Sequence, residues 1–246
     1  MKILTFIALA LIASIHFANA QGCSDAGVCT VPGLQAGSQH EPQDSVKNQF
    51  TFGVAGGRAD HGISVVNAYA EYSRALFGDL GMSVRLTSAA YSGTQATTAG
   101  LSDVYLTAAY SGLESAVLTA GVKIPLSDGN LQKDGAALPM DYQMSLGTVD
   151  VIVGASFTIE DFSFALALQQ PLTQNTNTFF ADSGQFSEFH TTNNYVRKGD
   201  VMLRVSYPVF KSGAWRVTTG LLPIYHLGDD EFTDVNSERK TIEGSR

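Results

Sequence analysis

Between Ser115 and Pro125 the chain reads SAVLTAGVKIP, in which Ala116, Leu118, Ala120, Val122 and Ile124 alternate with Ser115, Thr119, Gly121 and Lys123. A period of two is the mark of a β-strand with one apolar and one polar face. The same period recurs and predicts nine strands. Residues 49–55 set Phe50, Phe52 and Val54 on one face, and 64–72 set Val66, Ala68, Ala70 and Tyr72 against Val65, Asn67, Tyr69 and Glu71. Residues 82–90 oppose Met82, Val84 and Leu86 to Ser83, Arg85 and Thr87; residues 101–110 oppose Val104, Leu106, Ala108 and Tyr110 to Asp103, Tyr105 and Thr107. After the strand at 115–125 come 148–159, with Val149, Val151, Val153, Ala155 and Phe157 against Asp150, Gly154 and Ser156, and 162–170, with Phe162, Phe164, Leu166 and Leu168 against Ser163, Ala165, Ala167 and Gln169. The last two are 200–209, where Val201, Leu203, Val205 and Tyr207 face away from Met202, Arg204 and Ser206, and 214–226, where Trp215, Val217, Leu221 and Tyr225 face away from Arg216, Thr218 and His226. Pro223 lacks an N–H and is expected to weaken the far end of that strand. Several of these segments reach the length of a tilted membrane-spanning strand, longer than the usual globular one.

The connections decide which face meets which solvent. LFGDLG, SGLES, EDF and KSG are hairpin turns. The alternate connections, GRADHG, SGTQATTAG, 126–143, 171–199 and everything after Leu227, are longer. Short and long loops therefore lie at opposite ends of the sheet, as in bacterial outer-membrane barrels. The polar faces carry mostly Ser, Thr, Gly and Ala, with Glu71, Arg85, Asp103, Lys123, Asp150, Arg204 and Arg216 as isolated charges. A solvated face would carry more Lys and Glu. Only 15% of the chain is charged, against about 25% in ordinary soluble domains. The expectation is an all-β, antiparallel up-and-down transmembrane barrel whose apolar face meets lipid and whose polar face lines a lumen.

Residues 1–20 read as a secretory signal peptide: Met1-Lys2 as a positive start, an apolar stretch to Phe17, and Ala18-Asn19-Ala20 as the cleavage site. Residues 21–46, without periodicity and rich in Gly, Ser, Gln and Pro, read as a periplasmic tail or plug, and 47–246 as the barrel domain. Export makes a Cys23–Cys29 disulfide the preferred reading of the two cysteines. A lipoprotein box fits Ala20-Gln21-Gly22-Cys23 badly, and a thiol metal site lacks nearby His or Cys. A net charge of −8 argues against a nucleic-acid partner.

The segments GLSDVYLTAAY (100–110), LTAGVKIPLSDG (118–129) and SLGTVDVIVGASF (145–157) resemble the outer-membrane barrels associated with phenol-degradation pathways, themselves similar to long-chain fatty-acid and aromatic-hydrocarbon channels. Gly100, Asp103, Gly121, Lys123, Pro125, Ser145, Leu146, Gly147 and Asp150 occupy the places that carry the likeness. The resemblance implies a bacterial outer-membrane barrel passing hydrophobic compounds.

Asp103, Lys123 and Asp150 are expected on the polar faces of three successive strands, either as ion pairs filling the interior or as a constriction that selects by charge. Phe179, Phe180, Phe186, Phe189 and Tyr195 make 171–199 unusually aromatic for an exposed loop. The loop then packs on itself or into the barrel mouth, or offers the four phenylalanines to an apolar ligand. Asp60-His61 in a turn lacks a paired nucleophile, so no enzyme is expected. Asp182, Glu188, His190 and Asp229-Asp230-Glu231 match no calcium or zinc spacing and are read as exposed loop charge, with no metal or cofactor.

The leading reading is a channel or uptake protein for small, hydrophobic molecules, with outer-membrane lipid and the barrel-assembly machinery as partners. The alternatives are a structural or adhesive barrel with a plugged lumen, and a secreted β-sandwich or lipocalin-like binder. Nine crossings leave an odd count, and DDEFTDVNSERKTIEGSR shows no period-two apolar strand. An incomplete barrel, lacking an odd number of C-terminal strands, is therefore expected.

Overall fold

A computed structural model describes Val31, Leu34 and residues 48–181, 186–213 and 215–242. The proposed signal peptide and Cys23–Cys29 lie outside the described residues, as do Asp182 and most of 21–46. Nine antiparallel strands follow one another in an open, curled sheet, a half-barrel. They are β1 (Asn48–Arg58), β2 (Ser64–Ala75), β3 (Leu80–Ser92), β4 (Thr97–Leu113), β5 (Ala116–Pro125), β8 (Asp150–Ile159), β9 (Phe162–Pro171), β10 (Asp200–Ser212) and β11 (Trp215–Leu221). Two short strands, β6 (Gln132–Lys133) and β7 (Ala136–Ala137), pair with each other between β5 and β8, off the main sheet. The ninth predicted strand is split. Beyond Leu222-Pro223 it resumes as β12 (Ile224–His226), which also pairs with β10. Pro223 supplies no donor, but its carbonyl accepts the Leu203 N–H at 3.0 Å and keeps the segment on β10.

Turns at 76–79, 114–115 and 160–161 and the connection between β10 and β11 lie at one end of the sheet. The connections at the other end are 59–63, 93–96, 126–149 and 172–199. The third predicted connection shrinks to 93–96, because β3 runs to Ser92 and β4 begins at Thr97, taking up the last four residues of SGTQATTAG. The sorting of loops therefore rests on 126–149 and 172–199. Two corrections come from the same end. Thr148 and Val149 precede β8 instead of opening it, and the charged ending holds a hairpin, β13 (Asp230–Thr233) with β14 (Arg239–Ile242). That hairpin joins the loop before β10 through a Val196–Glu231 bridge, not through the main sheet.

Register places the predicted faces as the period demanded. The outward side carries Phe50, Val54, Val66, Met82, Leu106, Leu118, Val153, Leu166 and Leu203, all exposed, while Glu71, Arg85, Asp103, Lys123, Asp150 and Ser206 are buried on the inward side. Aromatic rings on the outward side gather at the short-turn end. Phe50 lies on Tyr72 (4.9 Å), Phe157 stacks on Phe164 (5.2 Å), and Phe162 meets Tyr207 (4.9 Å). Phe77, Tyr110, Phe210 and Trp215 extend the row from edge to edge, all exposed.

Candidate functional site

The inner face is organised by register. Thr51, Glu71, Arg85, Tyr105, Lys123 and Asp150 stand directly opposite one another from β1 to β8, in one transverse row. Side chains of directly opposed residues share a face, so the row is a lateral belt of two ion pairs, Glu71–Arg85 and Lys123–Asp150, with Tyr105 between the two cations. Arg85 Nε donates to Glu71 at 2.6 Å, and its guanidinium lies 4.2 Å from the centre of the Tyr69 ring. Tyr69 in turn lies over Gly53 of the edge strand, where a Cβ would come within 2.2 Å of the ring. Lys123 Nζ pairs with Asp150 at 2.9 Å, and Asp150 also accepts from Thr148 Oγ1 at 2.6 Å and from Gln169 Nε2. One step on, Gln169, Asp200 and His226 form a second row across β9, β10 and β12. Asp200 bonds to Arg197 and to His226 Nδ1.

Of the predicted interior charges, Glu71 and Arg85 form one pair and Lys123 and Asp150 another, while Asp103 joins neither. Its carboxylate accepts from Ser145 Oγ at 2.6 Å and Ser102 Oγ at 2.8 Å. Arg204 lies on the inner side of β10, and Arg216 lies in β11, opposite Lys211. Arg197, Gln169 and Asp200 were missed by sequence reading. Gln169 and Asp200 sat on polar faces but outside the charged set singled out there, and Arg197 precedes its strand, where no period applies.

An apolar cluster is interleaved with these polar rows on the inner face. Ile152, Ala165, Ala167 and Met202 form an apolar wall with Tyr105, and Val31 and Leu34 pack on it, both almost wholly buried. Gly154 makes room for this contact, since a Cβ there would lie 2.9 Å from Leu34 Cδ2. Part of the N-terminal segment therefore lies against the interior.

The long-loop end is capped by a second cluster. Ile63, Ala96, Leu138, Tyr142, Phe179 and Phe189 are buried together, with Phe186 packed against them. Phe189 touches His61, Tyr142 and Phe186, with ring centres 4.5, 5.8 and 5.9 Å away. Three of the four loop phenylalanines thus build the cap, and Phe180 is exposed. A cleft of about 420 Å³ opens beside it, lined by Gln132, Ala136, Ala137, Thr178, Phe179 and Phe186. Asn177 ties the cap together. Its Nδ2 donates to the Gly129 and Leu138 carbonyls, and its Oδ1 accepts from the Phe179 N–H and Thr192 Oγ1. Removing this buried amide strands several groups, each costing about 1–3 kcal/mol. Asn177→Ala is expected to make the cap protease-sensitive while the sheet keeps its heat-modifiable mobility on gels.

Asp60, His61, Glu188 and His190 are exposed, as expected of loop charge. Asp230 departs from that expectation. It is fully buried, accepting from Tyr195 and the Lys198 N–H, because the β13–β14 hairpin folds it inward. Among the described residues no group of His, Cys, Asp and Glu is arranged to hold a metal ion. No described helix is long and apolar enough to cross a membrane, which does not bear on strands.

In comparisons with known proteins, the chain matches no family model and no curated protein.

Proposed function

We propose that this chain is a bacterial outer-membrane β-barrel protein, a channel or uptake route for small molecules, hydrophobic ones among them. The observation that carries this reading is the outward face. Its exposed aliphatic side chains run across every main strand, and most of its aromatic rings lie at the short-turn end, with Tyr225 at the other. Water would penalise so much exposed apolar surface, whereas lipid would not. Aromatic rings favour the interface between hydrocarbon and headgroups. A secreted sandwich or lipocalin-like fold would instead bury these side chains against a second layer. The likeness of 100–110, 118–129 and 145–157 to phenol-pathway barrels supports the same reading. Among the described residues β1 and β11 form the edges of the sheet, and in lipid such edges require partners, because an unpaired N–H or C=O there costs several kcal/mol.

For a solute with apolar parts the entry point is the cleft beside Phe180, whose lining mixes aromatic and alanine side chains with Gln132 and Thr178 and holds no charged residue. Truncating one ring there removes about 1.5–3 kcal/mol of apolar contact. Phe180→Ser is therefore expected to lower uptake of an apolar solute about tenfold without loosening the cap. Equal uptake by the variant, over aliphatic and aromatic solutes alike, removes the cleft from the route.

The packing of Val31 and Leu34 on the inner wall favours a second reading, a structural barrel with a plugged lumen. Planar-bilayer recording on refolded protein separates the two. Discrete conductance steps support the conduit, and a silent bilayer with correctly inserted protein supports the plugged barrel.

A further inference from the structure

Residues 143–148, the end of the connection between β5 and β8, fold along the inner side of the sheet instead of standing outside it. Gln143, Met144, Ser145 and Thr148 are all buried. Thr98 Oγ1 of β4 donates to the Tyr142 carbonyl at 2.9 Å just before this segment. The Ser102 hydroxyl lies between Asp103 Oδ2 and the Met144 carbonyl. Ser145 Oγ donates to Asp103 Oδ1 at 2.6 Å and accepts from the Gly147 N–H at 3.0 Å. Thr148 Oγ1 donates to Asp150 at 2.6 Å and accepts from Lys123 Nζ at 3.3 Å. The segment thus crosses β4, β5 and β8, anchored to a carboxylate at each side.

Its shape depends on one close approach. Met144 lies over Gly100 at ordinary contact distance, a Cβ there being 3.4 Å from Met144 Cγ. Gly147 holds φ at +68° with the Asp128 carbonyl oxygen 2.2 Å from where its Cβ would be, a place no other residue can take. From the far side, Asn175 Nδ2 donates to the Leu146 carbonyl at 2.5 Å.

We infer that residues 143–148 are a constriction strap that sets the size limit of the passage, and that Asp103 and Asp150 are its anchors. This rests on the conduit reading above. A filter must meet the solute: Asp103, Lys123 and Asp150 are 8%, 2% and 0% exposed and each is held by a partner, and Gln143, Met144, Ser145 and Thr148 are buried as well, so the segment meets it through the half-buried Leu146 and Gly147. The charges fix the strap. The strap's bulk then decides what passes, and Ser145 is the positioning residue through which Asp103 acts.

The test uses the full chain refolded into vesicles, with three readouts: swelling in neutral sugars of increasing size, the potassium-to-chloride permeability ratio, and amide exchange of the 143–148 segment. Ser145→Ala and Asp103→Ala are expected to raise entry of the larger sugars at least threefold and Gly147 amide exchange about tenfold, leaving the ion ratio unchanged. Asp103→Asn keeps an acceptor for Ser145 and is expected to behave as the unsubstituted protein. A shifted ion ratio in Asp103→Asn with an unaltered size limit in Ser145→Ala overturns the strap in favour of a charge filter. Faster exchange with no change in size limit overturns its role as the constriction. Absence of flux in every protein overturns the conduit reading, and the constriction with it, whereas flux insensitive to Ser145 overturns the strap alone.

Discussion

Lys123→Met is expected to destabilise the folded sheet by about 3–5 kcal/mol, more than most single substitutions. The reason is the carboxylate left behind. Asp150 has no solvent exposure, and without Lys123 only Thr148 and Gln169 remain to donate to it. Two neutral donors do not replace a cation in a site that water does not reach. The paired substitution Lys123→Met with Asp150→Leu removes both charges and is expected to cost much less than either change alone. Denaturant titration of the refolded protein measures all three. A single-variant cost below about 1 kcal/mol is what solvent-exposed ion pairs give, and would mean that water reaches the Lys123–Asp150 pair.

Leu166→Arg and Leu203→Arg are each expected to cost about 2–4 kcal/mol when the protein folds into vesicles, and far less when it folds in detergent that can reshape around the side chain. The two residues are opposite each other across β9 and β10 and are 52% and 41% exposed on the outward face. Their burial among neighbours is too small for a packing explanation, so a large penalty isolates lipid as the surrounding medium. Arg at Leu118 or Val122 is expected to follow the same rule, with the penalty falling toward the aromatic row. Near-neutral arginine at all four positions would mean that this face does not meet hydrocarbon.

The order and facing of the nine main-sheet strands were legible in the chain because long β-strands announce themselves locally. A period of two over seven or more residues needs no tertiary information, and tight turns force consecutive strands to be neighbours. For that reason Glu71, Arg85, Asp103, Lys123 and Asp150 could be set on one face before any pairing was known. Even the flaw at Pro223 followed from one missing N–H. What period alone could not supply was the offset between strands. Arg85 meets Glu71 and Lys123 meets Asp150 because the registers of β2 with β3 and of β5 with β8 put them opposite. Asp103 lies opposite Pro125, and so its partners come from Ser102 and the distant Ser145.

The loops mark the other boundary. Phe179, Phe186 and Phe189 were visible as an aromatic group, but whether they faced a ligand or one another depended on Ile63, Leu138 and Tyr142, brought in from two other connections. Asp230 looked like solvated charge until a hairpin with no apolar period carried it inside. Residues 143–148 likewise held no periodic signal, since their path is set by single hydrogen bonds to Thr98, Ser102, Asp103 and Asp150. The long strands of the main sheet and their two faces were thus readable from the chain, because local backbone geometry dictates them. Register, cap and strap belong to the folded molecule alone, because each depends on which side chains meet across strands and loops, through shape and hydrogen bonding that no single segment contains.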